Sequence, residues 1–321
     1  MHKLGIALLA GDAHPALAQQ IAQLTAATLI PATVSAFADG ETRVRVDADI
    51  RDADIYIVQP TSAPTNERLM TLALLADAAR AAGAARVTAV VPYFGYARQD
   101  VRKSAGEPLS AAIATRLLSS AGIARLVTVE LHSPALESAF PMPLIQLEAD
   151  AAMLPIILGW NMADLCIVSP DAGGLKRAQR YATALDAGLA VVAKTRPQPD
   201  VAVALQVLGE VRGRRCLIVD DLASTGSTIL GAAQALVAAG ANEVHALFIH
   251  AVMGPEALQR ICAGPIQRLV STDSVPTRPD PRLQIVSLAP LLAQTLDRLS
   301  SSPGRSGDQN GRQHFLHGRG L

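Results

Sequence analysis

The chain has 321 residues, half of them hydrophobic, with 28 basic and 28 acidic side chains and no net formal charge at pH 7. That length suits two domains with full cores, and the charge balance excludes bulk nucleic-acid binding, so anions must be held at local sites. The three cysteines are scattered with no C-x-x-C pair, which indicates neither zinc nor a disulfide framework and fits a reducing cytoplasm.

The opening MHKLGIALLA has the basic start and apolar run of a short secretory leader. The run is broken by Gly5 and followed by Gly11, so a strand over 4–10 explains it better. No apolar run is long enough to span a membrane. Residues 15–27 place Leu17, Ile21 and Leu24 on one helical face. A short strand at 34–37 enters the charged turn ADGETR. A strand at 55–58, the loop QPTSAPT and a helix at 66–82 stopped by Gly83 come next. The strand at 87–91 runs into PYFGYARQD, residues 92–100. A helix at 107–121 and a strand at 126–129 lead to Glu130-Leu131-His132. The second half repeats the plan. A strand at 165–168 ends in SPDAGG, a helix covers 175–186, and a strand at 191–196 leaves toward a Pro-rich connection. A strand at 216–219, a helix at 229–239, a strand at 244–250 and a helix at 288–299 complete it. Such alternation predicts an α/β fold, with mostly parallel sheets flanked by helices. From Ser300 onward no apolar period remains, and 300–321 reads as a disordered tail with His314 and His317 in solvent.

An internal match supports duplication. DIYIVQP, a helix and AAGAARVTAV in the first half parallel CLIVDD, a helix and AAGANEVHAL in the second. Two similar domains follow, 1–148 and 149–299. Gln59-Pro60 stands where the second copy has Asp220-Asp221, so only the second copy keeps the paired acids.

The most informative stretch is CLIVDDLASTGST, residues 216–228. A buried strand, a small polar loop and a helix start make an anion site, because loop amides and the positive helix end face one point. Gly226 allows close backbone approach, and Thr225, Ser227 and Thr228 add hydroxyls. The Walker spacing G-x-x-x-x-G-K-[ST] is absent. Two acids beside the cradle would repel a bare polyphosphate; they suit the hydroxyls of a sugar whose phosphate sits in the loop, or a metal. The plain alternative is a βα turn with a Ser or Thr N-cap. Other charges also collect at strand ends, where parallel sheets bind ligands: Arg98 and Asp100, His132, Asp171, Lys194 and Arg196. Acids and a His could hold Mg²⁺ on a polyphosphate while Lys and Arg neutralise the transferred group. Singly, His132 could be a core histidine, and Arg98 with Asp100 a surface pair.

The 216–228 stretch resembles the phosphoribosyl-diphosphate loop shared by type I phosphoribosyltransferases and ribose-phosphate pyrophosphokinases. VVPYFGYARQD (90–100), VSPDAGG (168–174) and FADGE (37–41) resemble the second family specifically, from about residue 4 to 299. The resemblance implies two duplicated type I phosphoribosyltransferase-like domains. It also implies synthesis of phosphoribosyl diphosphate from ribose 5-phosphate and Mg-ATP, with release of AMP, in a homo-oligomer, dimer or hexamer. It assigns ATP to Phe37, Asp39 and Glu41 of a neighbouring subunit and to Arg98, Gln99 and Asp100. It assigns Mg²⁺ to His132 and Asp171, and catalysis to Lys194, Arg196 and His132. Asp220 and Asp221 take ribose hydroxyls, and Ser224, Thr225, Gly226, Ser227 and Thr228 the 5-phosphate. The chain departs from the family at Glu130 and Ser224, usually Asp, at Ser227, usually Gly, and across 133–139, which lacks the usual Gln and Gly. Its Gly106-Glu107-Pro108 is closer to archaeal-type members. Those departures motivate one alternative, an inactive paralogue that regulates a true synthetase. A phosphoribosyltransferase consuming phosphoribosyl diphosphate is another, and the ATP-type motif speaks against it.

Overall fold

The computed structural model describes residues 6–195 and 204–301. The first half contains β1 (Ala7–Ala10), α1 (Pro15–Thr25), β2 (Thr28–Ile30), β3 (Ala32–Ala36), β4 (Thr42–Val46), β5 (Asp54–Val58), α2 (Thr65–Ala81), β6 (Arg86–Val91), α3 (Ser110–Ser120), β7 (Arg125–Val129) and β8 (Leu144–Leu147). The second contains α4 (Asp150–Leu158), β9 (Leu165–Ser169), α5 (Leu175–Ala184), β10 (Gly188–Thr195), β11 (Ala204–Leu208), β12 (Arg215–Ala223), α6 (Ser227–Ala238), β13 (Glu243–Ala251), α7 (Pro255–Cys262), β14 (Ile266–Thr272), β15 (Leu283–Val286) and α8 (Ala289–Ser301).

The central strands are continuous apolar runs because both their faces are covered; Ile55 to Val58 and Cys216 to Val219 are all buried. One sheet has the order β2-β1-β5-β6-β7-β8, the other β11-β10-β9-β12-β13-β14-β15. Within these two sheets every pairing is parallel except β10 with β11. With β11 removed, the two orders are identical, so the duplication is visible in topology. Between its second and third core strands each copy makes an excursion: the antiparallel hairpin β3–β4 in the first, β11 in the second.

Side-chain alternation divides each sheet between two cores. Leu8, Tyr56, Val58, Val127 and Val129 of the first sheet share a central core with Ile167, Leu217, Val219, Leu247 and Ile249 of the second. Residues from α1, α4, α5 and α8 fill it, with α1 packed directly on α8. Outer cores lie under α2 and α3 on one side and under α6 and α7 on the other.

Several boundaries differ from those read in the sequence. The helix expected at 107–121 begins at Ser110. Pro108 disfavours helical backbone at Glu107, whose carboxylate instead accepts from the amides of Lys103 and Ser104. The strand expected to stop at Val219 continues to Ala223. Ser300 and Ser301 belong to α8; the rest of the expected tail lies outside the described residues. Among those, no helix is long and apolar enough to cross a membrane.

Candidate active site

Because β12 stays paired with β13 through Ala223, the two acids sit within the strand. Asp221 continues the face of Leu217 and Val219, toward the central core and the other sheet. There it meets His132, just beyond β7: His132 Nδ1 and Asp221 Oδ2 are 2.7 Å apart. Asp221 Oδ1 lies 3.6 Å from Arg177 Nη1, on α5. Burial would raise the Asp221 carboxyl, but the His132 hydrogen bond and Arg177 overcome it and hold its pKa low. Asp220, whose Oδ1 accepts from the Asp221 amide at 2.8 Å, is pushed up by burial and by the charge of Asp221. Protonation of the pair therefore favours Asp220 over Asp221. The hydrogen bond that His132 donates to Asp221 raises the His132 pKa, burial opposing.

Two residues before His132, Glu130 adopts a left-handed backbone with φ 41°, a costly conformation for a non-glycine residue. The surroundings hold it there. Its amide donates to Leu147 O at 2.9 Å, and its carbonyl accepts from His250 Nε2 at 3.0 Å. Its buried carboxylate pairs with Arg180 at 2.6 Å and Arg177 at 3.5 Å. Burial pushes His250 down to about 4, so the ring is neutral. Nε2–H donates to Glu130, and Nδ1 accepts from Ser274 Oγ at 2.8 Å.

The loop after β12 is built as an anion cradle. Gly226 caps α6 with φ 76°, and no side chain caps the helix; the anticipated alternative of a Ser or Thr N-cap is absent. A Cβ at Gly226 would lie 2.6 Å from Ile261. Thr225 and Ser227 share a hydroxyl hydrogen bond of 2.9 Å, and both are exposed with Thr228; Ser224 is half-buried. In the first copy Gln59 is fully buried; it accepts from the Ala13 amide and donates to Asp12. That side chain is spent on its own loop.

Asp171 is exposed just before α5, and its Oδ1 accepts from the Gly174 amide at 3.0 Å. No group of three His, Cys, Asp or Glu side chains among the described residues could hold a metal by itself. The donor set nonetheless fits Mg²⁺ shared with a phosphate, since that ion takes few protein ligands. With Nδ1–H donated to Asp221, His132 Nε2 presents its lone pair outward.

Residues 6–122 match the N-terminal domain of ribose phosphate pyrophosphokinase, and residues 143–274 the phosphoribosyl transferase domain. A ribose-phosphate pyrophosphokinase of Burkholderia pseudomallei is 39% identical over 300 residues, 92% of this chain and 94% of its own. One of Neisseria meningitidis is 41% identical over 296 residues, 91% of this chain and 90% of its own. The crystal structure of phosphoribosylpyrophosphate synthetase from Mycobacterium smegmatis matches with a TM-score of 0.86 at 34% identity, over 92% of this chain and 98% of that one. The chain belongs to the ribose-phosphate pyrophosphokinase family.

Within that family frame the remaining expected residues sit as follows. Arg98 and Gln99 are exposed and Asp100 half-buried, in the loop after β6. Arg98 and Asp100 both act on the charge of His132, so this loop faces the same centre; Gln99 Oε1 accepts from Ser110. Phe37, Asp39 and Glu41 form the exposed tip of the β3–β4 hairpin. Arg43 lies over the Phe37 ring at 5.7 Å, and Asp39 accepts from the Glu41 amide. Lys194 pairs with Leu205 on the β10–β11 ladder; Arg196 lies outside the described residues. Sequence reading missed Arg177, Arg180 and His250. The first two stand three apart on α5, beside the buried Ala178 and Tyr181, a spacing that marks one inward face.

Proposed function

We propose that the chain makes phosphoribosyl diphosphate from ribose 5-phosphate and ATP. The anomeric hydroxyl oxygen bonds to the β-phosphorus, the bond from that phosphorus to the α,β-bridging oxygen breaks, and AMP leaves. The supporting observation is the acid pair of β12 set directly before an uncapped helix N-terminus and facing His132 across the two sheets. The loop 224–228 takes the 5-phosphate through amides and hydroxyls. Asp220, the more open acid, takes ribose hydroxyls, with Asp221 behind it. Arg98, Gln99 and Asp100 take ATP, and Phe37, Asp39 and Glu41 reach an adenine from a neighbouring subunit; the half-exposed Phe37 ring supports a homo-oligomer. Lys194 and Arg196 neutralise charge on the transferred diphosphoryl group. His132 Nε2 and Asp171 would hold Mg²⁺, which supplies charge neutralisation on the phosphate oxygens. We divide the chain at 148/149, the first domain serving ATP and the second ribose 5-phosphate. Free cysteines at 166, 216 and 262 suit a reducing cytoplasm.

The test is AMP formation with Mg-ATP and ribose 5-phosphate, each omitted in turn. AMP that requires both and matches phosphoribosyl diphosphate in amount is expected. Failure to form AMP, with either ligand still bound, would replace this reading by that of a regulatory paralogue.

A further inference from the structure

His132 is held at two points, and both lead to one side chain. Its ring is fixed by Asp221 at 2.7 Å, and its main chain leaves a left-handed Glu130 that nothing in a strand end would favour. Arg177 reaches both supports: Nε is 3.5 Å from Glu130 Oε2, and Nη1 is 3.6 Å from Asp221 Oδ1 and 3.9 Å from Asp220 Oδ1. Its side chain is 9% exposed, so this cation is committed to three carboxyl groups from two sheets. Arg180 reinforces Glu130 and closes onto Asp150 at 2.9 Å, but it touches neither acid of β12 among the ion pairs seen. A planar, forked cation bridges these supports through separate nitrogens, Nε to Glu130 and Nη1 to the β12 acids; a lysine ammonium is a single point.

We infer that Arg177 is a positioning residue: it ties Glu130 of the first half to Asp221 of the second, and so sets both the place and the tautomer of His132. This rests on the proposed function for its catalytic consequence, though not for its structural one. Arg177 touches no reacting atom. Its loss frees Asp221 to turn, and with it the proton on His132 Nδ1 that leaves Nε2 open.

The decisive variant is Arg177→Lys, which keeps the charge and most of the stem. Imidazole ¹⁵N resonances, with His132 assigned by its own substitution, report the tautomer without any turnover. At a pH above the imidazole titration, wild type is expected to show His132 protonated at Nδ1 with a bare Nε2, and Arg177→Lys a mixture of tautomers. In steady-state assays kcat is expected to fall at least tenfold, with KM for ATP and for ribose 5-phosphate within threefold. An unchanged His132 spectrum overturns the inference whatever the rate, because the loss would then arise elsewhere. A shifted spectrum with wild-type kcat overturns it as well. Should Arg177→Lys fail to fold, Glu130→Gln tests the same link from the other end by the same two readouts. If wild type makes no phosphoribosyl diphosphate, the proposed function fails, while the ¹⁵N spectra still decide whether Arg177 governs the ring.

Discussion

Gly226 is the residue at which conformation and space coincide. Its φ of 76° suits glycine, and an added Cβ would sit 2.6 Å from two Ile261 carbons. Gly226→Ala is therefore expected to lower stability by about 1–3 kcal/mol, and to weaken ribose 5-phosphate binding, since the cradle amides must shift. Urea unfolding with calorimetric titration checks both; an unchanged midpoint would deny the strain. His250 gives a pH dependence with a definite sign. Its folded pKa of about 4 lies below the usual 6.5, so the unfolded chain binds the extra proton between those values. Stability contributed by the neutral ring is full above pH 6.5 and is lost as pH falls toward 4, on the order of 3 kcal/mol in all. His250→Gln should flatten the difference between unfolding free energies at pH 7 and pH 5; a difference as large as in wild type would exclude His250 as the source. These residues also show what sequence can and cannot carry. Gly226 was legible because a turn chemistry announces itself locally. His250, Arg177 and Arg180 were not, because each owes its meaning to Glu130, which lies far away in the chain, just past β7 of the first half.

At the scale of elements, most strands with unbroken apolar runs were readable, as were the helices between them except α4 and α7. The short or half-exposed strands β2, β4, β8, β11 and β15, the partly exposed β14, the eight-residue α7 and α4 with its internal Pro155 went unread in the sequence. The two excursions are the instructive case. Neither β3–β4 nor β11 belongs to the common strand order, so each copy is free to use its own for a different task. The first carries Phe37 at its tip, half-exposed, while Val34 and Val44 anchor the hairpin to the core. Phe37→Ala should therefore leave the melting temperature unchanged and raise KM for ATP about tenfold, the worth of one base stack. A wild-type KM would remove Phe37 from the adenine site. The second pairs along the end of β10, where Lys194 stands opposite Leu205. Lys194→Ala should lower kcat by about 10²–10³ with ribose 5-phosphate affinity retained, because the phosphate cradle is on α6. Phosphoribosyl diphosphate formation at the wild-type rate would refute its role.

The whole molecule is two copies of one topology, but not two independent units. A free-standing copy would expose the inner face of its sheet; here those faces and α1, α4, α5 and α8 form one apolar core. Opening the halves would uncover Tyr56, Val129, Leu217 and Ile249 together, with each buried aliphatic worth about 1.5–3 kcal/mol. It would also strand the Glu130 carboxylate away from Arg177 and Arg180, an added cost because a buried charge would lose its partners. Unfolding should therefore be one cooperative event, with calorimetric and van't Hoff enthalpies of the folding unit in agreement. Val129→Ala in the first sheet and Ile249→Ala in the second should each move that single transition, by several degrees. Two resolved transitions, with each substitution shifting only its own, would show that the halves fold separately. His132 would then reach Asp221 by docking of finished domains, not by a shared core, and activity could be lost on heating before either half unfolds.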